Sequence, residues 1–127
     1  MKDGMKTALI IEDDLNNRKL EKDLLQDAGY TVYEAKDAEK GLKVARKESP
    51  DVIILDYQLP GMNGLQALEK IIADPMIHNI PCVVVTASAT ERDIEVLKAS
   101  DACGYILKPI NTRTFVGQIE EMAAFRR

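Results

Sequence analysis

Asp56 closes an apolar run, Val52-Ile53-Ile54-Leu55, and precedes Tyr57-Gln58-Leu59-Pro60-Gly61. A carboxylate at the end of a buried strand, just before a Pro-Gly turn, is delivered to the rim of a sheet. An earlier apolar run, Ala8-Leu9-Ile10-Ile11, ends in Glu12-Asp13-Asp14, and a later one, Tyr105-Ile106-Leu107, ends in Lys108-Pro109. Three strand ends thus offer carboxylates, a carboxylate and a lysine. Carboxylate oxygens suit a hard divalent cation, and a lysine suits a phosphoryl group.

Strand and helix signals alternate five times along the chain. Residues 7–12 read as a continuous apolar strand. Residues 15–28 follow with Leu20, Leu24, Leu25 and Ala28 at helical spacing, closed by Gly29. Residues 30–35 form a short strand, and Asp37 caps a helix over 38–48 whose apolar side is Ala38, Gly41, Leu42 and Ala45. The third strand is 51–55. Asn63 caps a third helix with Leu65, Leu68, Ile71 and Ile72 inward, and Pro75 and Pro81 bracket a loop. The β-branched run 82–86 is the fourth strand. Thr90 with Asp93 opens a helix over 91–100, 104–107 is the fifth strand, and a last helix runs from about 112 to 124. Apolar strands separated by helices predict a parallel sheet covered on both faces, a (βα)5 arrangement. Ligands in such sheets bind at the carboxyl ends of the strands, where Glu12, Asp13, Asp56, Thr86 and Lys108 all fall.

The bulk properties exclude several classes. At 127 residues the chain is expected to be one domain, with a core over about 6–124. A net charge of −4 argues against non-specific nucleic-acid binding. No apolar stretch approaches the roughly 20 residues of a membrane span, and the N-terminal residues lack the apolar core of a signal peptide. Cys82 and Cys103 lie far apart without metal-ligand spacing and read as small buried hydrophobes. A cytoplasmic protein with reduced thiols is expected. His78, in the Pro75–Pro81 loop, reads as a surface residue remote from the site.

Taken singly, each acid reads as a helix cap or solvated turn, Thr86 as a cap and Lys108 as a turn lysine. Their coincidence at one end of one sheet favours a joint role. Together they resemble the receiver domain of two-component response regulators, over Lys6 to Ala124. The matching signatures are Leu9-Ile10-Ile11-Glu12-Asp13-Asp14, Asp51-Val52-Ile53-Ile54-Leu55-Asp56, Leu59-Pro60-Gly61-Met62-Asn63-Gly64, Val85-Thr86-Ala87 and Gly104-Tyr105-Ile106-Leu107-Lys108-Pro109. The resemblance implies a flavodoxin-like doubly wound sheet of strand order 2-1-3-4-5 and a role in a bacterial phosphorelay. Asp56 would be the phosphoacceptor. Glu12, Asp13, Asp56 and the backbone carbonyl of Gln58 would hold Mg²⁺, with Mn²⁺ as substitute. Thr86 and Lys108 would contact phosphoryl oxygens, the small Ala87 would leave room for a donor histidine, and Pro109 would follow Lys108 through a cis bond.

The same resemblance pairs Thr86 with Tyr105 as a switch, whose output is the face of the fourth helix, fifth strand and fifth helix. The implied partners are a sensor histidine kinase or histidine phosphotransfer protein, and a downstream effector or output domain. Homodimerisation through that face stays open, as do the cognate kinase and the presence of an output domain. Neither direct nucleic-acid binding nor membrane insertion is expected. Gln58 and Ser88 flank the path of the hydrolytic water in the family. Neither is charged here, so the phosphoryl lifetime is not legible. The segment Asp101-Ala102-Cys103-Gly104-Tyr105 departs from the paired-acid version typical of winged-helix transcriptional regulators, which tilts the reading toward a stand-alone receiver.

Two other functions compete. A haloacid-dehalogenase-like phosphatase also uses a strand-end aspartate, but wants a second acid where Gln58 stands. A receiver-like module that binds partners without phosphorylation is the main alternative, and the complete acid, threonine and lysine set argues against it. A flavin-binding flavodoxin is disfavoured because Glu12-Asp13-Asp14 would repel the phosphate. An enzyme turning over a separate substrate is not expected, beyond self-phosphorylation from a donor and autodephosphorylation.

Overall fold

The computed structural model of the chain describes residues 6–87 and 90–124. Ser88 therefore lies outside the described residues. The elements are β1 (Lys6–Ile11), α1 (Leu15–Asp27), β2 (Tyr30–Ala35), α2 (Ala38–Glu48), β3 (Val52–Asp56), α3 (Gly64–Ala73), β4 (Cys82–Thr86), α4 (Glu91–Ala99), β5 (Gly104–Leu107) and α5 (Phe115–Ala124). The five strands form one parallel sheet in the order β2-β1-β3-β4-β5, the expected flavodoxin-like topology. None of these helices is long and apolar enough to cross a membrane.

Alternation along the strands divides the core into two layers. Leu9, Ile11, Ile53 and Leu55 pack with Leu42 and Ala45 of α2 and Leu68 and Ile71 of α3. The intervening Ala8, Ile10 and Ile54, with Val83 and Val85, pack with Leu25 of α1 and Phe115 and Ile119 of α5. β3 and β4 are buried at every residue, as strands covered on both faces must be. This dry centre carries Asp56 and Thr86 to its rim.

The caps fall where the residue types predict. Asp37 accepts from the Lys40 N–H at 2.8 Å, and Asn63 and Gln66 form a reciprocal capping box. Thr90 accepts from the Asp93 N–H at 3.2 Å. Gly29, at φ +95, closes α1 in the left-handed region.

Several boundaries and faces differ from the sequence reading. The buried side of α1 is not the Leu20–Leu24–Ala28 stripe: Leu20 is 39% exposed and Ala28 is also exposed, while Glu21 is buried beside Leu25. The i, i+4 pair ending at Leu25 starts at position 21, which rotates the helix by one residue. In α3, Leu68 and Ile71 are buried as expected, but Leu65 and Ile72 are only half-buried, and Gly64 and Ala67 face inward. β1 stops at Ile11, leaving Glu12 just beyond it, and β3 extends to include Asp56. α5 begins at Phe115, because Asn111 first draws in the N–H groups of Arg113, Thr114 and Phe115 as a tight turn. Cys82 is buried, Cys103 only partly so, and both are free. His78 is exposed in its loop.

Candidate active site

β1 ends beside β3, with Ile11 opposite Leu55, so Glu12 and Asp56 emerge side by side. Both are almost fully buried, at 1% and 4% exposure, while Asp13 is exposed. One carboxylate oxygen from each of Glu12, Asp13 and Asp56 lies within 4.8 Å of the others. Each acid is steered by its surroundings. Glu12 Oε2 accepts the Asp14 N–H at 3.1 Å, and its backbone carbonyl accepts from Arg18 Nη1 at 2.9 Å. Asp14 turns to cap α1, accepting the Asn17 N–H at 2.8 Å. The third residue of the run is therefore a helix cap and not a member of the cluster.

Lys108 arrives from the far side of the sheet. β5 pairs with β4 so that Leu107 lies opposite Thr86, and the Lys108 N–H donates to the Thr86 carbonyl at 2.8 Å. The Lys108–Pro109 peptide is cis. The Lys108 ammonium then donates to Glu12 Oε1 at 2.9 Å and Asp56 Oδ1 at 3.2 Å. Thr86 is fully buried at the end of β4. Ala87 is exposed next to it, and Gln58 is exposed two residues after Asp56. Tyr105 is half-buried opposite Val84, on the same side of the sheet as Thr86 and Leu107.

Charge crowding is visible in the protonation of the site. Burial and the charge of Glu12 push the Asp56 carboxyl up to about 6, against the opposing pull of Lys108. Burial draws the Lys108 ammonium down, but its contacts with Glu12 and Asp56 outweigh this and leave it above its usual value. Two acids and one ammonium remain a net anionic set, with Asp13 adding to it. All three acid donors are oxygens, and a compact anionic oxygen cluster is what a hard divalent cation requires. The residues fit such an ion.

Two contributors were missed by sequence reasoning. Gly64 opens α3 against the Asp56–Tyr57 backbone, its N–H donating to the Tyr57 carbonyl at 2.7 Å. A Cβ there would stand 2.7 Å from Tyr57 Cα and 2.9 Å from Asp56 O, so only glycine admits this approach. Gly64 follows the Asn63 cap directly, and that pairing was the available signal. The second is Glu21, buried in α1 with Oε1 unpartnered among the described residues. Burial pushes its carboxyl up to about 8, with Glu12 and Asp56 adding to the shift and Lys108 opposing it.

Comparison with known proteins agrees with this geometry. Residues 8–120 match the family model for the response regulator receiver domain. The polar-differentiation response regulator DivK of Brucella anthropi is 34% identical over 115 residues, covering 91% of this chain and 94% of that protein. Among solved structures, the chemotaxis response regulator CheY4 of Vibrio cholerae superposes with a TM-score of 0.86 at 29% identity, covering 93% of this chain and 98% of that one. The receiver domain of the sensor histidine kinase PA1611 of Pseudomonas aeruginosa shares the fold, with a TM-score of 0.85 at 23% identity. It covers 95% of this chain and 99% of that one, and was solved with a magnesium ion in its active-site cleft.

Proposed function

Because the chain belongs to the family of response regulator receiver domains, we propose that it accepts a phosphoryl group on Asp56 and signals through the α4–β5–α5 face. The donor is a phosphohistidine, on a sensor kinase or a phosphotransfer protein. The observation that carries the reading is the position of Asp56. It is a buried carboxylate at the end of the central strand, in a three-acid oxygen cluster, with the Lys108 ammonium 3.2 Å away.

Glu12, Asp13, Asp56 and the backbone carbonyl of Gln58 are the residues that would hold Mg²⁺. When bound, the ion offsets the negative charge of the crowded acids and of the incoming phosphoryl oxygens. The chain's own groups do the rest. Without the ion, burial and the charge of Glu12 raise the Asp56 carboxyl, and a bound cation would favour the carboxylate form that acts as nucleophile. One of its oxygens bonds to phosphorus as the phosphorus–nitrogen bond to the donor imidazole breaks. The bonding pair returns to the imidazole nitrogen, and an acyl phosphate remains. Lys108 turns its ammonium to a phosphoryl oxygen, and the Thr86 hydroxyl donates to another. Ala87 leaves the approach of the donor ring open. Little further covalent work is needed, since phosphoryl transfer rests on positioning and charge.

Movement of Thr86 toward the phosphoryl group frees space beside Val84, on the side of the sheet that Tyr105 shares. That differential contact is the source of the switching energy. The test is intact mass after incubation with Mg²⁺ and acetyl phosphate, for wild type and Asp56→Asn. One added phosphoryl group on wild type only, abolished by chelator, is the expected result. No adduct on wild type, with beryllofluoride also leaving the protein unchanged, replaces this reading with a phosphorylation-independent binding module.

A further inference from the structure

A second concavity lies at the carboxyl end of the edge strand β2. A cleft of about 530 Å³ opens between α1 and α2 at the carboxyl end of β2. Its rim carries Arg18 from α1, Lys36 from the β2–α2 connection, Lys40 and Lys43 from α2, and the single acid Glu34. Ala35 and Val44 complete the lining.

The charges of this cleft do not cancel. Glu34 is already held by Arg18 at 3.1 Å and by Lys22 at 3.0 Å. Among the described residues, no carboxylate pairs with Lys36, Lys40 or Lys43. Three lysines with no carboxylate at ion-pair distance therefore border one concavity on a chain whose net charge is −4, while Asp37 and Glu39 of the same segment line the neighbouring hollow that Lys40 shares. Lysines on a convex helix face are ordinary solvated charges. These arise from two neighbouring segments and border a hollow with an arginine on its opposite wall. The volume lies within the roughly 300–1,000 Å³ of small-molecule sites. The hollow sits at the carboxyl end of the edge strand β2, apart from the switch point between β1 and β3 that the acidic cluster occupies.

We propose that this cleft binds a small ligand carrying a diphosphate group. Lys40 and Lys43 are one turn apart, and side chains so spaced stand about 5–6 Å from each other at Cβ, a separation adjoining phosphates can bridge. Lys36 adds a further charge to the lining, and Arg18, whose Nε is held by Glu34 and whose Nη1 donates to the Glu12 carbonyl, has Nη2 left to offer a phosphate oxygen. Val44 and Ala35 offer apolar contact for the body of the ligand. Arg18 also donates to the Glu12 carbonyl, so an occupant that draws on Arg18 sits one hydrogen bond from the acidic cluster.

The test is a titration with inorganic pyrophosphate in metal-free, low-salt buffer, followed by amide shifts in an isotope-labelled sample. The absence of metal keeps the anion from the acidic cluster. Saturable shifts confined to Arg18, Glu34–Lys36 and Lys40–Val44, at millimolar affinity or tighter, are expected. Lys40→Glu with Lys43→Glu should weaken binding at least tenfold. Lys70→Glu with Lys98→Glu, an equal charge change at exposed sites elsewhere, should weaken it less than twofold. Equal weakening by both pairs, shifts scattered over the surface, or no saturation overturns the site. Tighter binding of a hexaglutamate peptide at the same residues also overturns it, in favour of an acidic protein segment.

Discussion

Lys108 and Glu12 are 96 positions apart in sequence, yet their charged atoms are 2.9 Å apart and largely screened from water. The lysine therefore offsets part of the charge of the acid cluster, which stays net anionic. In the proposed function a divalent cation would share those oxygens with it, and a phosphoryl group would draw it away. Removing the ammonium should have opposite effects on the two events. Lys108→Ala is expected to tighten Mg²⁺ binding several-fold, because a competing cation is lost, while slowing phosphorylation by acetyl phosphate. Tyrosine fluorescence during a Mg²⁺ titration, alongside adduct formation by mass, separates the effects. Weaker Mg²⁺ binding would contradict this account.

Glu21 sets a pH dependence of stability. Its folded carboxyl titrates at about 8 and its ordinary value is 4.5, so between these pH values the folded state holds a proton that the unfolded state has lost. The unfolded state binds fewer protons there, and stability must fall as pH rises through that window. Asp56, raised from 3.8 to about 6, adds a loss of the same sign at the acid end of that window. Metal-free protein should accordingly show a lower urea midpoint at about pH 8 than at about pH 5.5. A midpoint that rises over this interval excludes a neutral, buried Glu21.

The same residue predicts a stabilising substitution. Methionine approximates the shape of glutamic acid and suits the apolar layer around Leu25. Glu21→Met should raise stability at neutral pH by about 1–3 kcal/mol, because it removes a buried neutral carboxyl whose Oε1 has no hydrogen-bond partner among the described residues. Most of the pH slope should vanish with it. Chemical denaturation of both proteins across the pH range measures the two effects together. Destabilisation by this change would mean that the carboxyl makes a favourable contact in the fold.

Gly64 couples a helix start to the position of Asp56. In Gly64→Ala the new methyl meets the Tyr57 and Asp56 backbones at 2.7 and 2.9 Å, and neither can turn aside as a side chain could. A loss of about 1–3 kcal/mol is expected, as for other overpacked sites. The phosphorylation rate should drop as well, because the displaced strand end carries the proposed acceptor, Asp56. Unfolding midpoints and acetyl phosphate kinetics report the two quantities. An unchanged rate would show that the acceptor position does not depend on this contact.

Tyr105 lies between the site and the proposed output face. Tyr105→Ala should leave the rate of phosphorylation near wild type while reducing the amide shifts that beryllofluoride induces at Val96 and Leu107. Those two side chains are exposed on α4 and β5, where a partner would read them. Retention of the full shift pattern would remove Tyr105 from the pathway.

The sequence alone determined the alternation of elements, the sheet they form and the chemical character of its active end. The continuous apolar runs of β1, β3 and β4 are typical of strands covered on both faces, and they lead into Glu12, Asp56 and Thr86. Caps were equally legible at Asp37, Asn63 and Thr90, because they depend on neighbours three residues away. Tertiary structure alone decided which face of α1 turns inward, since Leu20 and Glu21 differ by a rotation that only packing against the sheet resolves. It decided that Lys108 rests on Glu12 as well as Asp56, and that Asp14 turns away to cap α1. It also brought Arg18, Lys36, Lys40 and Lys43 around one hollow. Local pattern records what each segment buries, whereas distances between segments follow from how the buried faces interlock.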